Sequence, residues 1–174
     1  MRASFFGAVT LTAALTLVGA ALPAQAEVLL AQTRTSAAVY GGATYFVDFN
    51  GAAAGGTQFN FTTAAANTLV VVMFNAECAH QGGTQNWVDI DILVNPAGTA
   101  PEAAIAPSNG DNAFCSGNGT TTGGSGNFEL DGWVSAATIG SVLLPQAGTH
   151  TVRVRVDGRS SVTRLDDMSL IVMR

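Results

Sequence analysis

An aromatic ring and two carboxylates lie close together in the segment NWVDIDILVN, residues 86–95. Read with the two-residue period of a β-strand, Trp87, Asp89 and Asp91 fall on one face, and a row of Val and Ile residues falls on the other. A Trp ring beside carboxylates can stack against a sugar whose hydroxyls the carboxylates accept. Two carboxylates can also belong to a calcium site, or lie on the wet face of a sheet.

The simplest interpretation of these aspartates is an ion-paired outer face. Strand 149–157 has the complementary pattern, in which Arg153 and Arg155 alternate with valines. If the two strands are antiparallel neighbours, the arginines pair with Asp89 and Asp91 and help to fix the register. Each exposed pair of this kind contributes about 0.2–1 kcal/mol. We therefore predict that both aspartates lie on the solvent-facing side of a sheet.

A carbohydrate-binding site is the second interpretation, because sugars stack on exposed aromatic rings. The predicted ligand-binding residues are Trp87, Asp89, Asp91 and Trp133, with Tyr40 and Tyr45 as lesser aromatic candidates. The competing expectation for each Trp is burial in the core or in an interface, which is where large aromatic side chains are most often found.

Calcium binding is the third interpretation. Ca²⁺ takes six to eight oxygen ligands, usually from several loops. The predicted metal ligands are Asp89, Asp91, Asp166 and Asp167, with Asn109, Asp111 and Asn112 as further donors. The chain lacks a D-x-[DN]-x-[DN]-G loop, so we expect either no cofactor or a calcium ion held without that loop.

Catalysis finds less support in the sequence. The chain has two histidines, His80 and His150, and no G-x-S-x-G elbow or H-E-x-x-H zinc motif. Ser125 lies in a glycine-rich segment that does not suit a nucleophile. Glycoside hydrolysis needs two carboxylates, and the sequence spacing does not indicate which two would act together. The candidates are Asp89, Asp91, Glu129 and Asp131. A small secreted hydrolase is therefore the last of the alternatives.

The N-terminus has the pattern of a secretory signal peptide. Arg2 precedes an apolar run over residues 5–22, and the small residues that follow end in an A-x-A site at Ala26. This pattern predicts cleavage after residue 26 and a mature chain that begins at Glu27. We expect the protein to be secreted, to the periplasm or outside the cell.

The charge balance argues against some partners. Seven Lys and Arg residues oppose twelve Asp and Glu residues, which gives a formal net charge of −5. Nucleic-acid binding needs clustered positive charge, so we expect no nucleic-acid partner. Beyond residue 22 no apolar run is long enough to span a bilayer, so we expect no membrane span in the mature chain. A glycan or a protein remains as the expected partner, and the oligomeric state stays open.

The two cysteines, Cys78 and Cys115, predict one disulfide. In an oxidising compartment an isolated cysteine pair is most simply cross-linked. Only His80, two residues after Cys78, hints at the alternative of a reactive thiol.

Alternating hydrophobicity between Gly-, Pro- and Asn-containing breaks predicts an all-β domain over residues 27–174. The predicted strands are 28–35, 44–50, 57–62, 67–76, 86–94, 130–136, 139–144, 149–157 and 163–172. The run from Leu69 to Phe74 is apolar at every position, which predicts a central strand covered on both faces. Residues 157–161 suit a hairpin loop, and residues 116–127 a surface loop. Eight or nine strands predict a two-sheet antiparallel sandwich of jelly-roll type.

The segment LLPQAGTHTVRVRVDGRSSVTRLDDMSLIV, residues 143–172, resembles the closing strands of secreted jelly-roll modules. Similar endings occur in C1q/tumour-necrosis-factor-like sandwiches and in carbohydrate-binding modules. The resemblance implies a jelly-roll fold and binding rather than catalysis, and it carries over no ligand residues. We expect a non-catalytic binding or structural module for a protein, a glycan or its own copies; a calcium-assisted carbohydrate-binding domain is the first alternative.

Overall fold

The computed structural model describes residues 26–41, 44–49, 56–80, 87–97, 102–108, 113–116, 133–157 and 162–174. Several predictions lie outside these residues: the signal peptide up to residue 25, the loop from residue 117 to 127, and the side chains of Asn109, Asp111, Asn112, Ser125, Glu129 and Asp131. None of the described residues forms a helix long and apolar enough to cross a membrane.

The described strands form two antiparallel sheets, which confirms the predicted β-sandwich. The first sheet contains β1 (Val28–Arg34), β2 (Ala38–Tyr40), β5 (Thr68–His80), β9 (Val134–Leu144) and β11 (Thr163–Met173). The second contains β3 (Thr44–Phe46), β4 (Phe59–Thr63), β6 (Trp87–Asn95), β7 (Ala103–Ala104), β8 (Cys115–Ser116) and β10 (Gly148–Asp157). The first sheet has the order β1-β11-β5-β9, and β2 also pairs with β11. The second has the order β3-β10-β6-β7, with β4 on β10 and β8 on β6.

The core lies between the sheets and follows the predicted alternation. Every second residue of the central strands is buried, because successive side chains of a strand point to opposite faces. The second sheet contributes Val88, Ile90, Ile92, Val94, Val152, Val154 and Val156, and the first contributes Val70, Val72, Phe74, Leu165, Leu170 and Val172.

The disulfide between Cys78 and Cys115 is present, as predicted. Cys78 belongs to β5 of the first sheet, and Cys115 belongs to β8, which pairs with β6 of the second. The bond therefore links the two sheets covalently across the core.

Two predicted connections are wrong. The segments 130–136 and 139–144 were expected to be separate strands, but β9 is continuous because Ala136, Ala137 and Thr138 keep pairing with β5. The strands β10 and β11 do not form the predicted hairpin, since β10 pairs with β3, β4 and β6 while β11 pairs with β1, β2 and β5. The chain thus passes from one sheet to the other between β10 and β11.

The prediction that β5 is covered on both faces is also wrong. The strand is central within its sheet, between β11 and β9, and its inner residues are buried. Over residues 69–73 its outer face is apolar but not covered, and the side chain of Leu69 is 58% exposed. Leu143, directly opposite Leu69 on β9, and Ile139, opposite Met73, are exposed as well. The apolar run therefore does not mark a third packed layer.

Candidate functional site

The outer face of the second sheet carries the predicted ion pair. Asp91 on β6 lies directly opposite Arg155 on β10. The Arg155 guanidinium donates two hydrogen bonds to Asp91 Oδ2, one of them from Nε at 3.0 Å. The expected neighbouring strands and the Asp91–Arg155 pair are therefore confirmed.

The expected exposure of these aspartates is wrong. Asp89 is 7% and Asp91 4% exposed, although both lie on the outer face of β6. Arg155 on β10 reaches Asp91 across this face, and its extended side chain helps to keep that carboxylate from solvent. Asp89 lies opposite Asp157 rather than opposite an arginine.

Arg153 is paired with Glu102, which the sequence spacing did not suggest. Its Nε donates to Glu102 Oε1 at 2.7 Å, and a second guanidinium nitrogen donates to Glu102 Oε2. The guanidinium also lies 3.8 Å from the centre of the Phe46 ring. The hydrogen bond to Glu102 raises the pKa of Arg153. Because Arg153 and Arg155 are engaged and the aspartates are buried, this face offers few open polar groups to a ligand.

The predicted metal ligands do not converge. Asp89 and Asp91 belong to β6 of the second sheet, whereas Asp166 and Asp167 belong to β11 of the first. Within the described ranges, no group of three or more His, Cys, Asp or Glu side chains is placed to hold a metal ion. Calcium binding therefore stays a prediction that the described geometry does not support.

Both histidines lie inside the protein. His150 is fully buried in β10, which has strands on both sides. Its Nδ1 accepts the Ala97 N–H at 2.8 Å, so Nε2 carries the proton and donates to Thr63 Oγ1 at 2.9 Å. Burial lowers the pKa of His150. His80 is buried too, with Nδ1 3.0 Å from Thr163 Oγ1. Neither imidazole is accessible to a substrate in this arrangement.

The four aromatic candidates have different environments. Trp87 is half-buried on the outer face of the second sheet, beside the shielded Asp89. Tyr40 is buried, and burial raises its pKa. Tyr45 is exposed and packs against Tyr40, with the ring centres 6.0 Å apart. Trp133, which immediately precedes β9, is 38% exposed and belongs to the first sheet's side of the molecule. The two tryptophans are therefore not brought into one site.

Trp133 and Arg164 form a cation–π contact at one end of the first sheet, and this pair is called the corner below. The Arg164 guanidinium carbon lies 5.6 Å from the centre of the Trp133 indole ring. Arg164 on β11 is directly opposite Ala79 on β5, and β5 separates β11 from β9. Ala79 is almost fully buried although it lies on the outer face of β5. The ring and the guanidinium thus cover the end of the sheet.

An open groove of about 380 Å³ begins next to this corner. Its polar lining consists of Asn75 and Glu77 on β5, Ser135 on β9 and Asp167 on β11, with three alanines between them. Ser135 follows Trp133 by two residues and lies on the same face of β9, so their Cα atoms are separated by about 7 Å. The groove therefore has an amide, a hydroxyl and two carboxylates beside an exposed aromatic ring.

Local sequence explains the depth of the groove. Residues 135–137 of the edge strand β9 have small side chains, which leave open space beside Asn75 and Glu77. On the other side, the pairing of β11 with β5 is interrupted between Asp166 and Ser169. Asp167 has a φ of 43° there, and its N–H donates to Asp166 Oδ1 at 3.0 Å. Asp residues tolerate this left-handed conformation better than most, and bulges commonly redirect a side chain.

The sequence predictions found part of this groove. Trp133 was predicted as a carbohydrate-binding residue and Asp167 as a calcium ligand. Asn75, Glu77 and Ser135 were not predicted as site residues. The available signal was polar residues inside otherwise apolar strands, at positions 75, 77 and 135. Their proximity depends on the pairing of Asn75 with Ala137 and of Glu77 with Ser135, which the alternation does not specify.

The chain matches no protein-family model, and no curated protein matches it. Among solved structures it is similar to a chain of the infectious bursal disease virus Gx strain, with 10% identity and a TM-score of 0.39; the match covers 86% of this chain but 31% of that one. It is also similar to the CBM22-1 xylan-binding domain from Paenibacillus barcinonensis Xyn10C, with 12% identity, coverage of 84% and 94%, and a TM-score of 0.34. A third similarity is to TmCBM61 in complex with beta-1,4-galactotriose, with 18% identity, coverage of 77% and 86%, and a TM-score of 0.26. Similarities at these TM-scores identify neither a family nor a ligand for this chain.

Proposed function

We propose that this protein is a secreted, non-catalytic module that binds a saccharide at the outer face of its first sheet. The observation that carries the proposal is the groove lined by Asn75, Glu77, Ser135 and Asp167, together with the exposed Trp133, which precedes Ser135 by two residues. An aromatic ring can stack on the apolar face of a sugar, and the neighbouring amide, hydroxyl and carboxylates can bond its hydroxyls. Binding sites commonly combine an apolar surface with a few placed polar groups.

Three features of the chain favour binding over catalysis. Both imidazoles are enclosed by the core and hydrogen-bonded to threonines. The carboxylates on the second sheet are shielded, and Asp91 is neutralised by Arg155. The groove on the first sheet is shallow and open, which suits a polymer that lies along the surface.

Secretion is part of the proposal and is supported by the leader and by the disulfide. A cross-link between Cys78 and Cys115 is expected to persist in an oxidising compartment. Expression of the full chain in a bacterial host should give a processed product outside the cytoplasm, with Glu27 as its first residue. N-terminal sequencing of the exported protein checks this, and an unprocessed cytoplasmic product would contradict it.

The binding proposal is tested with a panel of soluble neutral polysaccharides, measured by affinity electrophoresis and calorimetry. We expect at least one to bind, and Trp133→Ala to weaken its binding by at least tenfold, since aromatic anchors dominate many binding sites. Trp87→Phe is the matched control, because Trp87 lies on the other sheet. In that variant Trp133 is the remaining tryptophan, so its fluorescence should change when the polysaccharide is added.

Failure of all panel members to bind, or equal affinity of wild type and Trp133→Ala, would overturn the proposal. The same titrations with EDTA and with added Ca²⁺ separate it from the calcium-assisted alternative. We expect no change in affinity in either condition, because the groove binds through side chains that need no metal.

A further inference from the structure

The hydrogen bond between Ser169 and Asn75 defines what the groove offers to a ligand. Ser169 on β11 lies directly opposite Asn75 on β5, and Ser169 Oγ is 2.7 Å from Asn75 Oδ1. An amide oxygen only accepts hydrogen bonds, so the Ser169 hydroxyl is the donor. With its oxygen held by Ser169, Asn75 presents its NH₂ group to the groove as a donor.

The remaining polar lining consists mainly of acceptors. Glu77 lies opposite Ser135 on the β9 side and opposite Asp166 on the β11 side. Asp167 projects from the interrupted pairing between Asp166 and Ser169. None of the described lining residues is a cation. A ligand in this groove must therefore donate hydrogen bonds to carboxylates and accept one from the Asn75 amide.

We infer that the groove selects neutral, hydroxyl-rich saccharides and rejects uronates, and that Ser169 is the positioning residue that sets this selectivity by orienting Asn75. The inference rests on the saccharide-binding function proposed above and names its ligand class. Sugar hydroxyls supply donors for Glu77 and Asp167 and an acceptor for Asn75. A uronate would bring a third carboxylate beside Glu77 and Asp167, and like charges at close range disfavour binding. The described lining has no cation, and the Arg164 guanidinium at the neighbouring corner lies against the Trp133 ring.

The selectivity is tested with soluble β-1,4-linked glucan oligosaccharides and their C6-oxidised derivatives, which carry a carboxylate in place of the CH₂OH group. We expect the oxidised form to bind wild type at least tenfold more weakly. In the double variant Glu77→Gln/Asp167→Asn the difference should shrink to less than threefold, and high salt should also reduce it because charge repulsion is screened. Equal or tighter binding of the oxidised form by wild type would overturn the inference.

The role of Ser169 is tested with Ser169→Ala and the conservative variant Ser169→Thr, which keeps a hydroxyl. We expect Ser169→Ala to weaken glucan binding by at least threefold at a nearly unchanged Tm, and Ser169→Thr to retain binding within twofold. The ¹⁵N side-chain amide signals of Asn75 provide a readout that needs no ligand. In Ser169→Ala the chemical shifts of these signals should differ from those of wild type and Ser169→Thr, and the amide hydrogens should exchange with water faster.

These readouts separate the two proposals. If no polysaccharide binds wild type, the proposed function and the selectivity fail together, and the Asn75 amide signals still decide whether Ser169 orients this side chain. If polysaccharides bind at Trp133 but Ser169→Ala leaves both the affinity and the amide signals unchanged, the proposed function stands and the positioning role is wrong.

Discussion

Asp91 and Arg155 lie directly opposite each other on β6 and β10, and the Arg155 guanidinium donates two hydrogen bonds to one oxygen of the Asp91 carboxylate. The two partners differ in exposure: the Asp91 side chain is 6% exposed and that of Arg155 is 40% exposed. The pair therefore has one buried charge and one charge that can reach water. This asymmetry determines the cost of removing either partner.

Removal of Arg155 should cost more stability than removal of Asp91. Arg155→Ala leaves a buried carboxylate without its cation, and we expect a loss of about 2 kcal/mol. Asp91→Ala leaves a guanidinium that can turn to solvent, and we expect a loss of about 1 kcal/mol in the free energy of unfolding. A double-mutant cycle by urea unfolding should give a coupling energy of about 1 kcal/mol. A coupling energy near zero would mean that the strands keep their register without this pair.

Loss of the cross-link between the sheets should be among the larger single effects. Cys78 and Cys115 are separated by 37 residues, and chain entropy gives about 4 kcal/mol as an upper figure for such a loop. We expect Cys78→Ala/Cys115→Ala to fold but to lose about 2–4 kcal/mol in urea unfolding, with a steeper dependence on urea because the unfolded chain is less compact. A loss below about 1 kcal/mol would show that the bond constrains the unfolded chain little.

The strand faces could be predicted because the inner positions of β6, and those of β10 from Val152 to Val156, are all apolar, so only one register of side chains buries them. The burial of Asp89 and Asp91 and the partner of Arg153 could not be predicted. Asp91 is bonded to Arg155 from another strand, and Arg153 is bonded to Glu102, 51 residues before it in the chain. Alternation reports the face on which a residue lies, and it does not report what covers that face.

The groove was only partly predictable for a related reason. Its polar residues come from three strands, and they meet because β5 lies between β11 and β9. Strand order depends on long-range pairing that no local pattern encodes. The interrupted pairing at Asp167 was also missed, although the buried residues pass from odd positions up to Leu165 to even positions from Met168 onward, a change of phase that marks one extra residue.

The buried His150 should make stability dependent on pH. Burial lowers the pKa of His150 below its usual value of 6.5, because desolvation disfavours the charged ring. Protonation at Nδ1 would also remove the acceptor of the Ala97 N–H. The unfolded chain takes up a proton as the pH falls through 6.5, while the folded protein does not. The stability that neutral His150 contributes is therefore complete above about pH 6.5 and is lost as the pH falls towards the lower pKa of the folded state.

This pH dependence is measured by urea unfolding of wild type and His150→Asn between pH 8 and pH 5. Asn keeps an acceptor for the Ala97 N–H but does not titrate in this range. We expect the variant to be less stable at pH 8 and to lose less stability than wild type on acidification. Parallel losses in the two proteins would assign the pH dependence to other groups.

Two substitutions on β5 should separate its buried face from its open face. Phe74 is fully buried and packs edge-on against Phe49, with ring centres 6.2 Å apart. Phe74→Ala should cost about 3–5 kcal/mol, because it leaves a cavity between the sheets. Leu69 is 58% exposed on the other face, so Leu69→Ala should change the free energy of unfolding by about 0.5 kcal/mol or less. Urea unfolding of both variants measures this difference, and a cost above about 2 kcal/mol for Leu69→Ala would mean that the apolar outer face is covered in solution after all.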